Sequence, residues 1–97
     1  MARILAIGGA HLDRTCRLEG PHLPGASNPG RWENHLGGGV FNTCRNLARL
    51  GHEVTLVSAR GGDASGERVA EAAEEAGLDD RSMVFLDRAT ASYTAIL

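Results

Sequence analysis

The sequence predicts an α/β domain in which helices flank a parallel sheet and a small β lid projects from it. Short apolar segments alternate with two amphipathic stretches, in the order strand, helix, strand, helix, strand, which is typical of βαβ units. Two strand-like segments with one polar face interrupt this order before the first helix, so we assign them to the lid. The length of 97 residues allows one domain, residues 1–97.

The first part of the chain supplies one core strand and both lid strands. Ile4 to Ile7 is a continuous apolar run ended by Gly8-Gly9, as expected of a strand buried on both faces. The lid strands are predicted at about residues 12–18 and 31–36, where apolar and polar side chains alternate. Residues 19–30 between them contain all three prolines and are predicted to form a loop.

A glycine triplet, Gly37 to Gly39, leads into the first helix. The helix has an apolar stripe at i, i+4, i+7 and i+8 that consists of Val40, Cys44, Leu47 and Ala48. Gly51 stands where a C-cap glycine is expected. Such a loop gathers free backbone N–H groups at the positive end of the helix dipole, where polar oxygens of a ligand can bind. The alternative is a tight turn without a ligand.

The remaining elements continue the alternation. Apolar strands are predicted at residues 54–59 and 83–86, and a further strand begins at Tyr93. Residues 65–76 form the second helix, which has an apolar stripe of Val69, Ala72, Ala73 and Ala76. Gly77 followed by Leu78 is typical of a Schellman ending.

Composition excludes several classes of function. A net charge of -2 gives no electrostatic reason to expect nucleic acid or a membrane surface as a partner, and no apolar run approaches the roughly 18 residues of a membrane span. Cys16 and Cys44 are interpreted as reduced thiols of a cytoplasmic protein, with a disulfide as the alternative. The four histidines lack ligand spacing, so no metal is assigned.

Motifs along the whole chain resemble the N-terminal part of the ribokinase family, also called the PfkB carbohydrate kinases. The signature is Gly37-Gly38-x-x-x-Asn42, followed by Asn46 to Gly51. The other matching features are Asp13 after the first strand, Pro24-Gly25, Gly62-Asp63-x-x-Gly66 and Ala76-Gly77-Leu78. The resemblance implies a ribokinase-like fold.

The resemblance also implies a reaction and a binding site. The reaction is phosphoryl transfer from ATP, with Mg²⁺, to a hydroxymethyl group of a sugar or nucleoside. The implied substrate-binding residues are Asp13, Gly37, Gly38 and Asn42. A carboxylate can accept two hydroxyl protons, and an amide both donates and accepts. The alternatives are a turn aspartate, a steric need for glycine, and an asparagine that bonds the helix backbone.

Two features bear on the substrate. Ribokinase itself has a Gly-Gly-Lys-Gly-Ala-Asn pattern, from which Gly39 and Phe41 depart, and this argues against ribose. Residues 27–30, Ser-Asn-Pro-Gly, and the pair Ser92-Tyr93 are similar to the pseudouridine kinase subfamily, which implies a C-nucleoside phosphorylated on its 5′-hydroxyl. Phe41 and Tyr93 could then flank a base, with core packing as the alternative.

Family members run to roughly three hundred residues, and their Gly-Ala-Gly-Asp motif with the catalytic base is absent from this chain. We therefore expect a substrate-side N-terminal segment of a kinase that is inactive alone and has no catalytic or nucleotide-binding residues. An unpaired apolar sheet edge predicts self-association or low stability. The alternatives are a non-catalytic sugar- or nucleoside-binding module and a dinucleotide-binding oxidoreductase, although Gly-x-Gly-x-x-Gly is absent.

Overall fold

The computed structural model describes residues 1–97 and confirms the α/β class. The elements in chain order are β1 (Arg3–Ile7), β2 (His11–Leu18), β3 (Gly30–Gly37), α1 (Gly39–Arg49), β4 (Glu53–Val57), β5 (Ala59–Gly61), α2 (Ala64–Glu75), β6 (Asp79–Asp80), β7 (Met83–Phe85) and β8 (Ser92–Ile96). They form a core sheet in the order β1-β4-β6, a lid sheet in the order β3-β2-β8, and a separate pair, β5-β7. Neither helix is long and apolar enough to cross a membrane.

The core sheet is parallel and carries both helices on one face. β1 and β4 pair in register, with Ile4 opposite Val54 and Ala6 opposite Leu56. Val54 and Leu56 belong to one buried cluster, against which Ile4 and Ala6 pack. The cluster also contains residues of α1 and α2. Its members are Ala10, Phe41, Cys44, Val54, Leu56, Val69, Ala73 and Leu78. The hydrophobic core therefore lies between the sheet and the two helices.

The opposite face of the core sheet is bare, so the prediction that β1 is buried on both faces is wrong for this chain. Leu5 and Ile7 are 64% and 71% exposed. The physical reason is that alternate residues of a strand point to opposite faces. Both helices cover the face of Ile4 and Ala6, and no element of residues 1–97 covers the face of Leu5 and Ile7.

The lid has three strands instead of the two that the sequence predicts. β2 and β3 are antiparallel and cover the predicted ranges. β8 was expected among the apolar strands, but it pairs in parallel with β2 at the lid's other edge. The core sheet instead ends in β6, which the sequence analysis missed because its two residues are both aspartates. Apolar content alone does not distinguish a lid strand from a core strand here.

Both helices end as predicted. Gly51 and Gly77 adopt positive φ angles of 91° and 76°. Beyond α2, the Leu78 N–H donates to the Ala73 carbonyl at 3.0 Å, which is the 6→1 bond of a Schellman motif. The equivalent bond beyond α1 runs from the His52 N–H to the Leu47 carbonyl at 3.2 Å. These endings direct the chain from each helix into β4 and β6.

Candidate substrate site

The turn between β3 and α1 requires glycine at position 38. Gly38 is the N-cap of α1 and has a φ of 107°, a backbone angle that residues other than glycine rarely adopt. A Cβ here would collide with the carbonyl oxygen of Gly9, which lies two residues beyond β1. The Phe41 N–H also donates to that carbonyl, at 3.3 Å. This close approach places the first turn of α1 against the C-terminal end of β1, where ligands bind in open α/β sheets.

Asp13 lies over the same turn. β2 and β3 pair so that His11 is opposite Gly37, and a Cβ on Gly37 would collide with the Asp13 carboxylate. Gly37 is therefore needed to make room for this side chain. The Asp13 side chain is 38% exposed, and its Oδ1 atom lies 2.8 Å from Nε2 of His11. Its Oδ2 atom has no hydrogen bond within the chain.

Asn42 lies in the first turn of α1, on its exposed surface. Its backbone N–H donates to the Gly38 carbonyl at 2.9 Å. Its side-chain Oδ1 accepts a hydrogen bond from Nη2 of Arg45 at 2.6 Å, which leaves the Nδ2 donor without a partner in the chain. Nη2 of Arg45 also donates to the Leu36 carbonyl at 3.4 Å. Arg45 thus fixes the Asn42 amide relative to the end of β3.

The structure joins the sequence-derived site residues through the glycine turn. Asp13 packs on Gly37, Gly38 caps α1, and Asn42 follows in the first helical turn. No hydrogen bond links the Asp13 and Asn42 side chains. Asn42 opens onto a cleft of about 470 Å³ on the outer face of α1, which it lines with Arg45, Asn46 and Arg49.

The two aromatic residues considered for a base have different environments. Phe41 is fully buried, with 0% exposure, so the suggestion that it flanks a base is wrong. It fills the core between α1 and the sheet, which is the alternative stated above. Tyr93 is 63% exposed and is the register partner of Asp13 on the adjacent strand β8. Register partners share one face of a sheet, so Tyr93 stands beside Asp13.

Asp63, the aspartate of the Gly62-Asp63-x-x-Gly66 motif, holds the lid to the core. Its carboxylate accepts hydrogen bonds from the Gly66 N–H at 2.8 Å, the Thr90 N–H at 2.9 Å and the Thr90 hydroxyl at 2.6 Å. The Thr90 hydroxyl, the Thr90 N–H and the Gly66 N–H, in that order, lower the pKa of Asp63. The motif therefore caps α2 and anchors the segment that enters β8.

A buried ion pair links two further strands. Nη2 of Arg60 in β5 lies 2.6 Å from Oδ2 of Asp80 in β6, and the side chains are only 10% and 17% exposed. Burial raises the pKa of Asp80, but hydrogen bonds from Arg60 and Ser82 and the charge of Arg60 outweigh it and lower the pKa overall. The pair ties the β5-β7 ribbon to the core sheet.

Cys16 and Cys44 are both buried free thiols, and the alternative disulfide is not formed. Burial raises the pKa of the Cys44 thiol, which therefore has little nucleophilic thiolate. No group of three or more His, Cys, Asp or Glu side chains is placed to hold a metal ion. The polar groups of the candidate site lie around the glycine turn, at Asp13 and Asn42.

Comparison with known proteins decides the family. The model of the pfkB family carbohydrate kinases matches residues 1–97. The chain belongs to this family. The ribokinase resemblance inferred from Gly37, Gly38, Asn42 and the accompanying motifs is thereby confirmed, and the family is one of carbohydrate kinases.

Individual pfkB relatives agree in sequence and fold. D-β-D-heptose 7-phosphate kinase of Bordetella bronchiseptica is 39% identical over 82 residues, which are 79% of this chain and 26% of that protein. A carbohydrate kinase from Agrobacterium tumefaciens superimposes with a TM-score of 0.90 at 58% identity, over 100% of this chain and 32% of that one. Ribokinase from Cryptococcus neoformans, solved in complex with ADP, has a TM-score of 0.80 at 28% identity, over 97% and 30% of the two chains.

The ribokinase-like fold is therefore shown by the solved relatives as well as by the element order. The chain spans about a quarter to a third of the length of these relatives. Sequence reasoning identified the glycine turn but missed His11 and Arg45, which contact Asp13 and Asn42. The sequence spacing could have indicated both contacts, because residues two apart on a strand and three apart on a helix lie on the same face. His11 is two residues from Asp13 on β2, and Arg45 is three residues from Asn42 on α1.

Proposed function

We propose that residues 1–97 form the substrate-side segment of an ATP-dependent kinase that phosphorylates a hydroxymethyl group of a sugar or nucleoside. The observation that carries the proposal is the Asp13 carboxylate, which lies on Gly37 where the glycine turn enters α1 and keeps Oδ2 without a partner. A hydroxyl-rich ligand at this turn meets Oδ2 of Asp13 as an open hydrogen-bond acceptor.

Each site residue has a role in this proposal. Oδ2 of Asp13 accepts a hydrogen bond from a ligand hydroxyl, and Nδ2 of Asn42 donates one to a ligand oxygen. Gly37 and Gly38 shape the binding site from below: without a Cβ, Gly37 leaves the space that the Asp13 carboxylate occupies, and Gly38 lets the turn lie against the Gly9 carbonyl. Asp13 offers a ligand one open carboxylate oxygen instead of two, because its Oδ1 atom already accepts a hydrogen bond from His11.

Within this substrate class, Tyr93 favours a nucleoside. It is exposed and stands beside Asp13 across the β2-β8 pairing. An aromatic ring on the strand next to Asp13 can stack against a planar base while the carboxylate accepts a hydrogen bond from a ribosyl hydroxyl. This supports the pseudouridine-like reading of Ser92-Tyr93, although Phe41 contributes nothing to it because it is buried.

The proposal assigns the catalytic base, ATP and Mg²⁺ to residues outside these 97. Phosphoryl transfer needs positioned charge, a metal-bound nucleotide and a base or positioning group for the acceptor hydroxyl. When bound, Mg-ATP supplies the phosphoryl group, and residues 1–97 bind and orient its acceptor.

Two proteins test the proposal together. One is the 97-residue chain, and the other is a chimera in which residues 1–97 replace the matching segment of the Agrobacterium kinase. ATP consumption is measured with ribose, fructose, adenosine and pseudouridine. We expect no turnover by the chain alone and turnover by the chimera with at least one acceptor. Turnover by the chain alone would refute the assignment of the catalytic groups.

A non-catalytic binding module is the alternative outcome. It would bind a sugar or nucleoside, raising the melting temperature of the chain, but the chimera would be folded and inactive with every acceptor. We also propose a cytoplasmic location, which suits two buried free thiols.

A further inference from the structure

We infer that His11 is a positioning residue that orients the Asp13 carboxylate for ligand binding and leaves Oδ2 as its open acceptor. The inference rests on the proposed function, because it concerns the same ligand. Nε2 of His11 lies 2.8 Å from Oδ1 of Asp13. A carboxylate only accepts hydrogen bonds, so the histidine nitrogen carries the proton and donates it.

The strand geometry makes this contact possible. His11 and Asp13 are two residues apart on β2, and alternate residues of a strand project from the same face. The side chains are 27% and 38% exposed, so the pair is half-buried and still reachable by a ligand. A partly desolvated hydrogen bond to a carboxylate is stronger than one in water.

Gly37 confines the carboxylate from the other side. A Cβ on Gly37 would collide with Oδ2 of Asp13, so this oxygen lies directly over the glycine. His11 on Oδ1 and the Gly37 backbone near Oδ2 together restrict rotation of the carboxylate. A group that is ordered before binding loses less conformational entropy when the ligand arrives.

Other polar groups on this face of the lid do not share the task. His35 on β3 is the register partner of Asp13, but its Nε2 lies 3.5 Å from Oε2 of Glu33. Tyr93 on β8 flanks Asp13 in register without a hydrogen bond to it. His11 is the one side chain in the chain that donates a hydrogen bond to Asp13.

The test uses the chimera and three histidine variants. His11→Met removes the donor, His11→Gln keeps an N–H donor at similar reach, and His22→Met is the control in the exposed loop. We expect His11→Met to raise KM for the accepted substrate roughly tenfold with little change in kcat, as for a lost hydrogen bond to a charged group. His11→Gln should restore KM to within about twofold of the parent, because the donor is retained.

The outcomes separate this inference from the proposed function. If His11→Met leaves KM unchanged while Asp13→Asn raises it, the positioning role is overturned and the binding role of Asp13 stands. If neither variant changes KM, the proposed function fails as well.

Independently of activity, Asp13→Ala in the 97-residue chain should shift the His11 ring ¹⁵N resonances in NMR spectra and leave those of His22 in place. Unchanged His11 resonances would overturn the inference.

Discussion

At the residue scale, the glycines of the turn differ in what they do. Gly37 makes room for the Asp13 carboxylate, whereas Gly38 makes room for the Gly9 carbonyl and supplies the positive φ that begins α1. Gly39 has open space around the position of a Cβ and no positive φ. A triplet that looks uniform in sequence therefore contains two indispensable glycines and one replaceable one.

The first prediction uses this difference. Gly38→Ala should lower the free energy of unfolding by about 1–3 kcal/mol, because the new Cβ forces a strained backbone and meets the Gly9 carbonyl. Gly39→Ala is the matched control and should be neutral or stabilising by up to about 1 kcal/mol, since alanine favours the helix. Urea unfolding measures both. Equal destabilisation by the two variants would contradict the account of the turn.

The sequence predicts roles for residues that match a family motif, but not for residues whose role depends on side-chain packing or on a hydrogen bond between side chains. Asp13, Gly38 and Asn42 are proposed as site residues because they match a family pattern, and that assignment stays a prediction. His11 was considered only as a metal ligand, and its hydrogen bond to Asp13 depends on the rotamers of two neighbouring side chains. Phe41 was left open between ligand and core, and only packing showed that it is fully buried.

At the element scale, one residue, Asp63, both caps α2 and holds the start of β8. Asp63 caps α2 through Gly66 and at the same time holds Thr90, 27 residues away in sequence, at the start of the third lid strand. The cap has a local partner, because Gly66 is three residues from Asp63. Local sequence patterns do not predict the contact with Thr90 or the pairing of β8 with the lid, because both depend on where the chain returns in space.

The second prediction concerns acid stability. The pKa of Asp63 is lower in the folded chain than its ordinary value, first through the Thr90 hydroxyl. The carboxylate therefore adds stability above its unfolded pKa, and this stability is lost as the pH falls through the folded pKa. Asp63→Asn should lower the melting temperature at neutral pH and flatten its decline in acid. The exposed Asp87 serves as the control through Asp87→Asn. An unaltered acid profile in Asp63→Asn would contradict this linkage.

At the scale of the whole molecule, the uncovered face of the core sheet is the dominant feature. The helices cover one face, while Leu5 and Ile7 of β1 present large apolar side chains on the other. The sequence predicted that β1 is apolar enough to be buried on both sides, and that pattern is consistent with relatives about three times as long. The pattern itself does not say which segment covers the second face.

The third prediction is self-association of the 97-residue chain through this face. Exposed apolar surface on a sheet with an unpaired edge strand favours association. Sedimentation should show a dimer or larger species at high concentration, and the double variant Leu5→Lys, Ile7→Lys should shift it toward monomer. Leu23→Lys is the control, because Leu23 is 59% exposed in the loop before β3. A monomer at every concentration would count against the prediction.

We propose above that this chain supplies the acceptor-binding segment of a sugar or nucleoside kinase and that Asp13 binds the acceptor. The most direct test of this claim is the KM of the chimera for its best acceptor after Asp13→Asn, compared with Asp87→Asn. We expect Asp13→Asn to raise KM by roughly tenfold or more, because the charged acceptor of a hydrogen bond is lost. Asp87→Asn should leave KM unchanged. Equal KM values for the two variants would contradict the claim.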